Sequence, residues 1–124
     1  MKPSQPAFSL VEVLAAVAII GILIFLALPN VIQAKRDTEE QMVVIRADAL
    51  NIAMSSFITA NGRSNAGASW TAATTDAAKY LLLKPYLSYA PNTLADWQPS
   101  GYSFEFTTLE AKTTAKRGTT PIPY

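Results

Sequence analysis

The sequence predicts an α+β fold in which one long N-terminal helix packs against a small antiparallel β-sheet. Two observations predict it. A long apolar run leads into residues 33–60, which contain no Gly or Pro and are rich in helix-forming residues. Near the other end of the chain, Tyr102, Phe104 and Phe106 alternate with polar residues, which is the period of a half-buried strand. The 124 residues are enough for one domain.

The apolar run has the length of a membrane span. Residues 13–34 carry no formal charge, between Glu12 on one side and Lys35 and Arg36 on the other. As a helix this stretch would extend over roughly 33 Å, against a hydrocarbon core about 30 Å thick. Glu12 lies at the edge of the run, where a carboxylate needs either a cation or the membrane interface to satisfy it.

Two residues inside the run weaken a helix. Pro29 lacks a backbone donor, and Gly21 adds backbone freedom. Together they predict that residues 21–29 can lengthen or bend. Because both residue types are also common in membrane helices, their presence has an ordinary explanation as well.

The helix is expected to continue over residues 13–61 and to end at Asn61-Gly62. In its second half, an apolar stripe at helical spacing is the predicted buried face, with four further apolar residues flanking it. The stripe consists of Met42, Ile45, Ala49, Ile52, Ala53 and Phe57, flanked by Val43, Ala47, Leu50 and Met54. An ion pair four residues apart is expected between Arg36 and Glu40.

The rest of the chain is predicted to form a short helix and a few short strands. Residues 61–76 are expected to be irregular, and a short helix over residues 76–83 is expected to be capped by Asp76. A strand is predicted within residues 101–111, with a weaker partner strand within residues 113–122. Since the chain has no Cys, packing, strand pairing or a bound ion must fasten its C-terminal region.

Composition excludes several kinds of chemistry. The absence of His and Cys excludes Ser-His-Asp and Cys-His nucleophiles and thiolate metal sites. We therefore predict no enzyme activity, no catalytic or metal-binding residues and no cofactor. Carboxylates such as Glu39, Glu40, Glu105 and Glu110 are expected to be solvated, and Asp96 alone makes a poor calcium cage. With a net charge of +1, the basic residues Lys112, Lys116 and Arg117 do not predict nucleic-acid binding.

The N-terminal residues carry a resemblance to a known family. The string Pro6-Ala7-Phe8-Ser9-Leu10-Val11-Glu12, followed by the apolar run, resembles the signature of type IV pilins and pseudopilins. The resemblance implies that a prepilin peptidase cuts between Ala7 and Phe8 and that the new Phe8 amine is N-methylated. Gly21 and Pro29 also stand at the family's usual positions. Ala7 departs from the family, which usually has Gly before the cut.

The resemblance also implies an organisation and a set of partners. Residues 1–7 would be the leader, residues 8–34 the transmembrane and assembly half of the helix, and residues 35–124 a periplasmic or extracellular head. In a filament, Glu12 of one subunit would neutralise the Phe8 amine of its neighbour. Expected partners are copies of the chain or sister pilins, the prepilin peptidase, and an inner-membrane assembly platform with a cytoplasmic ATPase.

The resemblance leaves some alternatives open. The filament is either a type IV pilus or a type II secretion pseudopilus. The small head without disulfides slightly favours the pseudopilus. A different class of function is an ordinary secreted protein whose signal peptide ends at Ala34, or a single-span anchored protein without a filament role. The length of the apolar run and Glu12 at its head argue against a signal peptide.

Overall fold

The computed structural model describes residues 9–124, and it confirms the predicted α+β, pilin-like class. Helix α1 (Leu10–Asn61) is followed by α2 (Arg63–Ala72), α3 (Asp76–Leu83), a 3-10 turn (Lys84–Tyr86) and α4 (Leu94–Trp97). Three strands then form the sheet: β1 (Tyr102–Glu105), β2 (Thr114–Arg117) and β3 (Thr120–Ile122). The chain divides into two compact units, Met1–Asp37 and Thr38–Tyr124. We call the second the head unit.

The sheet is antiparallel throughout, in the order β1-β2-β3. The predicted alternation is confirmed, because Tyr102, Phe104 and Phe106 are buried while the residues between them are partly exposed. The β2–β3 connection has only two residues, and its first, Gly118, has a φ of 62°. Glycine at the first central position suits the tight turns that match the twist of a hairpin.

The core of the head unit is built on one face of α1, which contains the four predicted flanking residues but only Ala53 and Phe57 of the predicted stripe. The buried residues of α1 are Val43, Ala47, Leu50, Ala53, Met54 and Phe57, whereas Met42, Ile45 and Ile52 are exposed. The expectation for those three residues was wrong for a physical reason. Two neighbouring stripes on α1 both satisfy helical spacing, and the head unit covers only one of them.

Two local expectations were also wrong. Residues 63–72 form α2 rather than an irregular loop, because Ala66 and Trp70, one helical turn apart, are both buried in the core. Helix α3 is capped by Thr75, whose Oγ1 accepts a hydrogen bond from the Ala78 amide at 3.1 Å. Asp76 is instead the first helical residue, and its carboxylate accepts a hydrogen bond from the Phe106 amide at 3.0 Å.

A set of hydrogen bonds joins α1 to the residues around Tyr124. Asn51 donates from Nδ2 to the Tyr124 hydroxyl at 3.1 Å, and its Oδ1 accepts from the Thr113 amide at 2.8 Å. The Tyr124 hydroxyl donates in turn to the Thr113 carbonyl. Burial raises the pKa of Tyr124, the Asn51 hydrogen bond lowers it, and the charge of Asp48 raises it further. We call Asn51, Thr113 and Tyr124 the tyrosine clasp.

Lysine and arginine side chains add further ties to the head unit. Lys112 donates from Nζ to the Tyr124 carbonyl at 3.2 Å and lies 5.0 Å from the centre of its ring. Arg46 of α1 donates to the Trp97 carbonyl at 2.5 Å and also lies 5.9 Å from the Trp97 ring. These contacts, with strand pairing and core packing, hold the head unit together in a chain that has no Cys.

Removing the clasp hydroxyl should destabilise the head unit. In Tyr124→Phe, the Asn51 amide and the Thr113 carbonyl each lose a partner at a partly buried site, at a cost of about 1 to 2 kcal/mol. Urea unfolding of the full chain in detergent, followed by tryptophan fluorescence, measures this loss. Tyr89→Phe is the matched control, because the Tyr89 side chain is fully exposed and its change should stay within about 0.5 kcal/mol. Equal unfolding midpoints for the two variants would contradict the prediction.

Candidate functional site on the N-terminal helix

The helix begins with a side-chain cap made by two residues of the predicted motif. Ser9 precedes the first turn, and its Oγ accepts a hydrogen bond from the Glu12 amide at 3.2 Å, while its carbonyl accepts from the Val13 amide at 3.1 Å. The Ser-x-x-Glu spacing is the sequence signature of a capping box, of which the Ser9 hydroxyl contact with the Glu12 amide is one half. It fixes Glu12 in the first turn, where a carboxylate is also favoured by the helix dipole.

The Glu12 side chain is exposed on this turn. Within residues 9–124, none of the ion pairs of the structure involves Glu12. The neighbouring surface is a shallow recess lined by Glu12, Val13, Ala16 and Val17. The carboxylate therefore lies next to small and apolar side chains and has no ion-pair partner among residues 9–124.

Gly21 and Pro29 both lie inside α1, which is helical through them. A Cβ added at Gly21 would meet nothing within 4 Å, so no packing inside this chain requires a glycine there. Pro29 has no amide hydrogen, and the Phe25 carbonyl one turn earlier lacks its normal helical donor. The loosening of residues 21–29 stays a prediction, because the chain is helical over this stretch.

The apolar side chains of residues 9–37 are left exposed by the part of the chain that the structure describes. Every described residue up to Asp37 is exposed, including Ile20, Leu23 and Phe25. Among the described residues, α1 is the one helix that is long and apolar enough to cross a membrane. Soluble proteins rarely expose so much contiguous apolar surface, so this part of α1 requires lipid or other protein around it.

Some of the charged residues of the head unit form ion pairs within it. Glu40 binds Arg117 at 2.6 Å, so the expected pairing of Glu40 with Arg36 was wrong. Helical spacing identifies neighbours along a helix, but it cannot show that β2 brings a closer arginine. Lys116 pairs with Glu105 at 2.7 Å, and Arg63 pairs with Glu110.

The remaining sequence-level candidates have local roles. The Asp96 carboxylate accepts a hydrogen bond from the Thr93 hydroxyl at 2.9 Å at the start of α4. Across residues 9–124, no group of three or more acidic, His or Cys side chains could hold a metal ion. The predicted cleavage and methylation residues, Ala7 and Phe8, lie outside the described residues, as does the rest of the expected leader.

Comparison with known families gives one match. The model of the prokaryotic N-terminal methylation motif matches residues 2–28, about a fifth of the chain. No curated protein and no solved structure matches the chain. The matched residues include Ser9 and Glu12 of the capped first turn and most of the uncovered apolar surface. The chain therefore carries the prokaryotic N-terminal methylation motif, the signature of type IV pilin and pseudopilin precursors.

Proposed function

We propose that this chain is a structural subunit of a type IV pilus or type II secretion pseudopilus, assembled through its N-terminal helix after the leader is removed. The observation that carries the proposal is the position of the methylation motif. It matches residues 2–28, and the described part of that stretch is an exposed apolar helix that begins at Glu12's capped turn. The motif would direct removal of the leader, and burial of the exposed apolar side chains would favour assembly.

Glu12 and the Phe8 amine are proposed to set the register between subunits. Cleavage between Ala7 and Phe8 would place a new cation four residues before a carboxylate that has no ion-pair partner in the described chain. In a bundle of apolar helices, a neighbour's amine can meet this carboxylate. Such a pair adds little net stability because both groups lose water, but a wrong register leaves two charges unpaired in an apolar environment.

The surface around Glu12 supports close helix packing. Ala16 lies one turn after Glu12 in the shallow recess, and Ala15 and Ala18 are small residues nearby. Small side chains let two helix backbones approach, which favours association in a lipid environment. A neighbouring N-terminus can therefore approach the Glu12 carboxylate over the small side chains of Ala15 and Ala16.

In the proposed subunit the chain has three segments. Residues 1–7 are a leader that is removed, residues 8–34 anchor the precursor and later pack in the filament, and residues 35–124 form the head. The motif and the apolar helix are consistent with a membrane-anchored precursor. The precursor would lie in the inner membrane, and the filament in the periplasm or outside the cell.

The proposed partners follow from this route. The prepilin peptidase would process the precursor, and sister pilins or copies of the chain would surround α1 in the filament. An inner-membrane platform with a cytoplasmic ATPase would extract subunits from the membrane. The role proposed for the chain is that of a structural subunit, which the pilin-type motif supports.

Glu12→Gln should block assembly without blocking processing. The amide keeps the size of the side chain and removes its charge, so a neighbour's Phe8 amine would be left unpaired. We expect at least a roughly tenfold loss of filament mass, equivalent to about 1.4 kcal/mol per subunit contact, with mature protein still present in the membrane. Electron microscopy of sheared filaments and the mass of membrane protein measure the two quantities.

Glu39→Gln is the matched control for this experiment, because it neutralises another exposed carboxylate of α1 outside the motif. It should assemble normally. If Glu12→Gln filaments are as abundant as those of the control, the register role of Glu12 is wrong.

Residues 21–29 should exchange their amide hydrogens more slowly when Gly21 or Pro29 is replaced. Gly21 and Pro29 weaken this stretch of α1, whereas core packing protects residues 43–57. Gly21→Ala adds about 1 kcal/mol of helix propensity, and Pro29→Ala restores a backbone hydrogen bond. Hydrogen exchange of the full chain in micelles should show roughly fivefold slower exchange over residues 21–29 in each variant. Leu28→Ala is the control, and a loosening role is excluded if Gly21→Ala and Pro29→Ala exchange like it.

A further inference from the structure

Two residues form the junction between α1 and α2: Asn61, the last residue of α1, and Gly62, which precedes α2. Gly62 has a φ of 79°, a conformation that residues with a side chain rarely adopt. Its carbonyl accepts the first helical hydrogen bond of α2, from the Ala66 amide at 2.9 Å. The backbone therefore favours glycine at the point where one helix ends and the next begins.

The Asn61 side chain has its own contacts at this junction. Nδ2 donates to the Phe57 carbonyl at 3.0 Å and to the Tyr86 hydroxyl at 3.2 Å. The Asn61 carbonyl accepts from Asn65 Nδ2 at 3.2 Å. These hydrogen bonds attach the side-chain amide to the last turn of α1 and to the 3-10 turn, so the fold uses both residues of the Asn-Gly pair.

Asn61 and Gly62 also form a dipeptide that is prone to deamidation. In this reaction the Gly62 nitrogen attacks the Asn61 Cγ, the N–Cγ bond forms, and the Cγ–Nδ2 bond breaks. Nδ2 leaves as ammonia, with the proton of the Gly62 amide. Water then opens the resulting succinimide ring at either carbonyl, which gives aspartate or isoaspartate at position 61. Glycine favours the attack because it places no side chain beside the nitrogen.

The closed junction opposes this attack at both reacting groups. The Gly62 amide donates to the Ile58 carbonyl at 2.9 Å, so the attacking nitrogen is held in the helical hydrogen-bond pattern. The Asn61 amide is held by the Phe57 carbonyl and the Tyr86 hydroxyl. The contacts on both groups must open before the ring can close, and the rate of deamidation then follows the population of the open junction.

We propose that Asn61 is a modification site, at which deamidation is suppressed while the α1–α2 junction is closed and proceeds when it opens. An aspartate has no N–H to donate to the Phe57 carbonyl, and its charge lies at the C-terminal end of α1, where the helix dipole disfavours an anion. Isoaspartate also adds a carbon to the backbone before Gly62. Because the reaction does not reverse, each conversion weakens the junction permanently. This site goes beyond the proposed function, since its chemistry involves neither processing nor assembly.

Mass spectrometry of the full chain in detergent tests the site. After incubation at mildly alkaline pH, trypsin releases residues 47–63, which contain Asn61 and Asn51. Asn51 precedes the branched Ile52 and is the internal control, and a sample digested without incubation corrects for conversion during digestion. We expect Asn61 to convert at least about tenfold more slowly in the folded chain than in the same chain unfolded in urea at the same pH, with isoaspartate among the products.

Tyr86→Phe tests the contact that holds the side-chain amide. It keeps the ring, which packs against Phe57 with ring centres 6.1 Å apart, and removes the hydroxyl that accepts from Asn61. Loss of this hydrogen bond predicts roughly threefold faster conversion of Asn61 in the folded chain. Tyr89→Phe is the matched control, because the Tyr89 side chain is fully exposed and accepts no hydrogen bond from the Asn61 amide.

The outcomes that overturn the site are distinct. An unfolded chain that keeps Asn61 unchanged would show that it is not a modification site. Equal rates in the folded and unfolded chains would show that the junction does not control it, and this comparison decides even if Tyr86→Phe fails to fold. Equal rates in Tyr86→Phe and Tyr89→Phe would overturn the part assigned to the Tyr86 hydroxyl.

The consequence of conversion is tested with Asn61→Asp, which mimics one product. Its head unit should unfold at a lower urea concentration than that of Gln41→Glu, which makes the same amide-to-acid change at an exposed residue of α1 away from the junction. Equal midpoints would overturn the weakening of the junction.

Discussion

An apolar helical surface that residues 9–124 leave exposed is the constraint on which the rest of the structure depends. The described residues of the first unit are all exposed, and burial of their apolar area is worth about 25 cal/mol per Å² wherever it occurs. Only lipid or other helices can supply that burial. In the proposed filament Glu12 would set the register between helices, because its carboxylate, once removed from water, needs a cation from a neighbour. A subunit that moves from membrane to filament meets both requirements.

The head unit has a small core and no disulfide, so its stability depends on packing and polar contacts. One face of α1 supplies the centre of that core, and polar contacts attach later parts of the chain to the same helix. Asn51 bonds both Tyr124 and Thr113, Arg46 bonds Trp97, and Glu40 pairs with Arg117. Each contact joins α1 to residues at least 50 positions away in sequence, so the helix organises the fold of the head unit.

The sequence predicted what depends on short-range periodicity and failed where long-range contacts decide. The extent of α1, the alternation of Tyr102, Phe104 and Phe106, and α3 were predicted, because a run of residues with one period identifies its own element. The buried stripe of α1 was misplaced, since helical spacing does not determine which way the helix faces. The helix α2 was missed because its Ser, Asn and Gly residues favour turns, and burial of Trp70 outweighs that preference. At the site, Glu12, Gly21 and Pro29 were found from the sequence, whereas the Ser9 cap was missed although its Ser-x-x-Glu spacing indicates it.

The central claim is that this chain is processed as a prepilin, and the mature N-terminus tests it most directly. Intact mass and N-terminal sequencing of the protein, purified from membranes of cells with their own peptidase, should give a chain that begins at N-methylated Phe8. A chain that begins at Lys35 would show removal of an ordinary signal peptide and would contradict the filament account. A chain that retains Met1 would contradict prepilin processing and leave a membrane anchor.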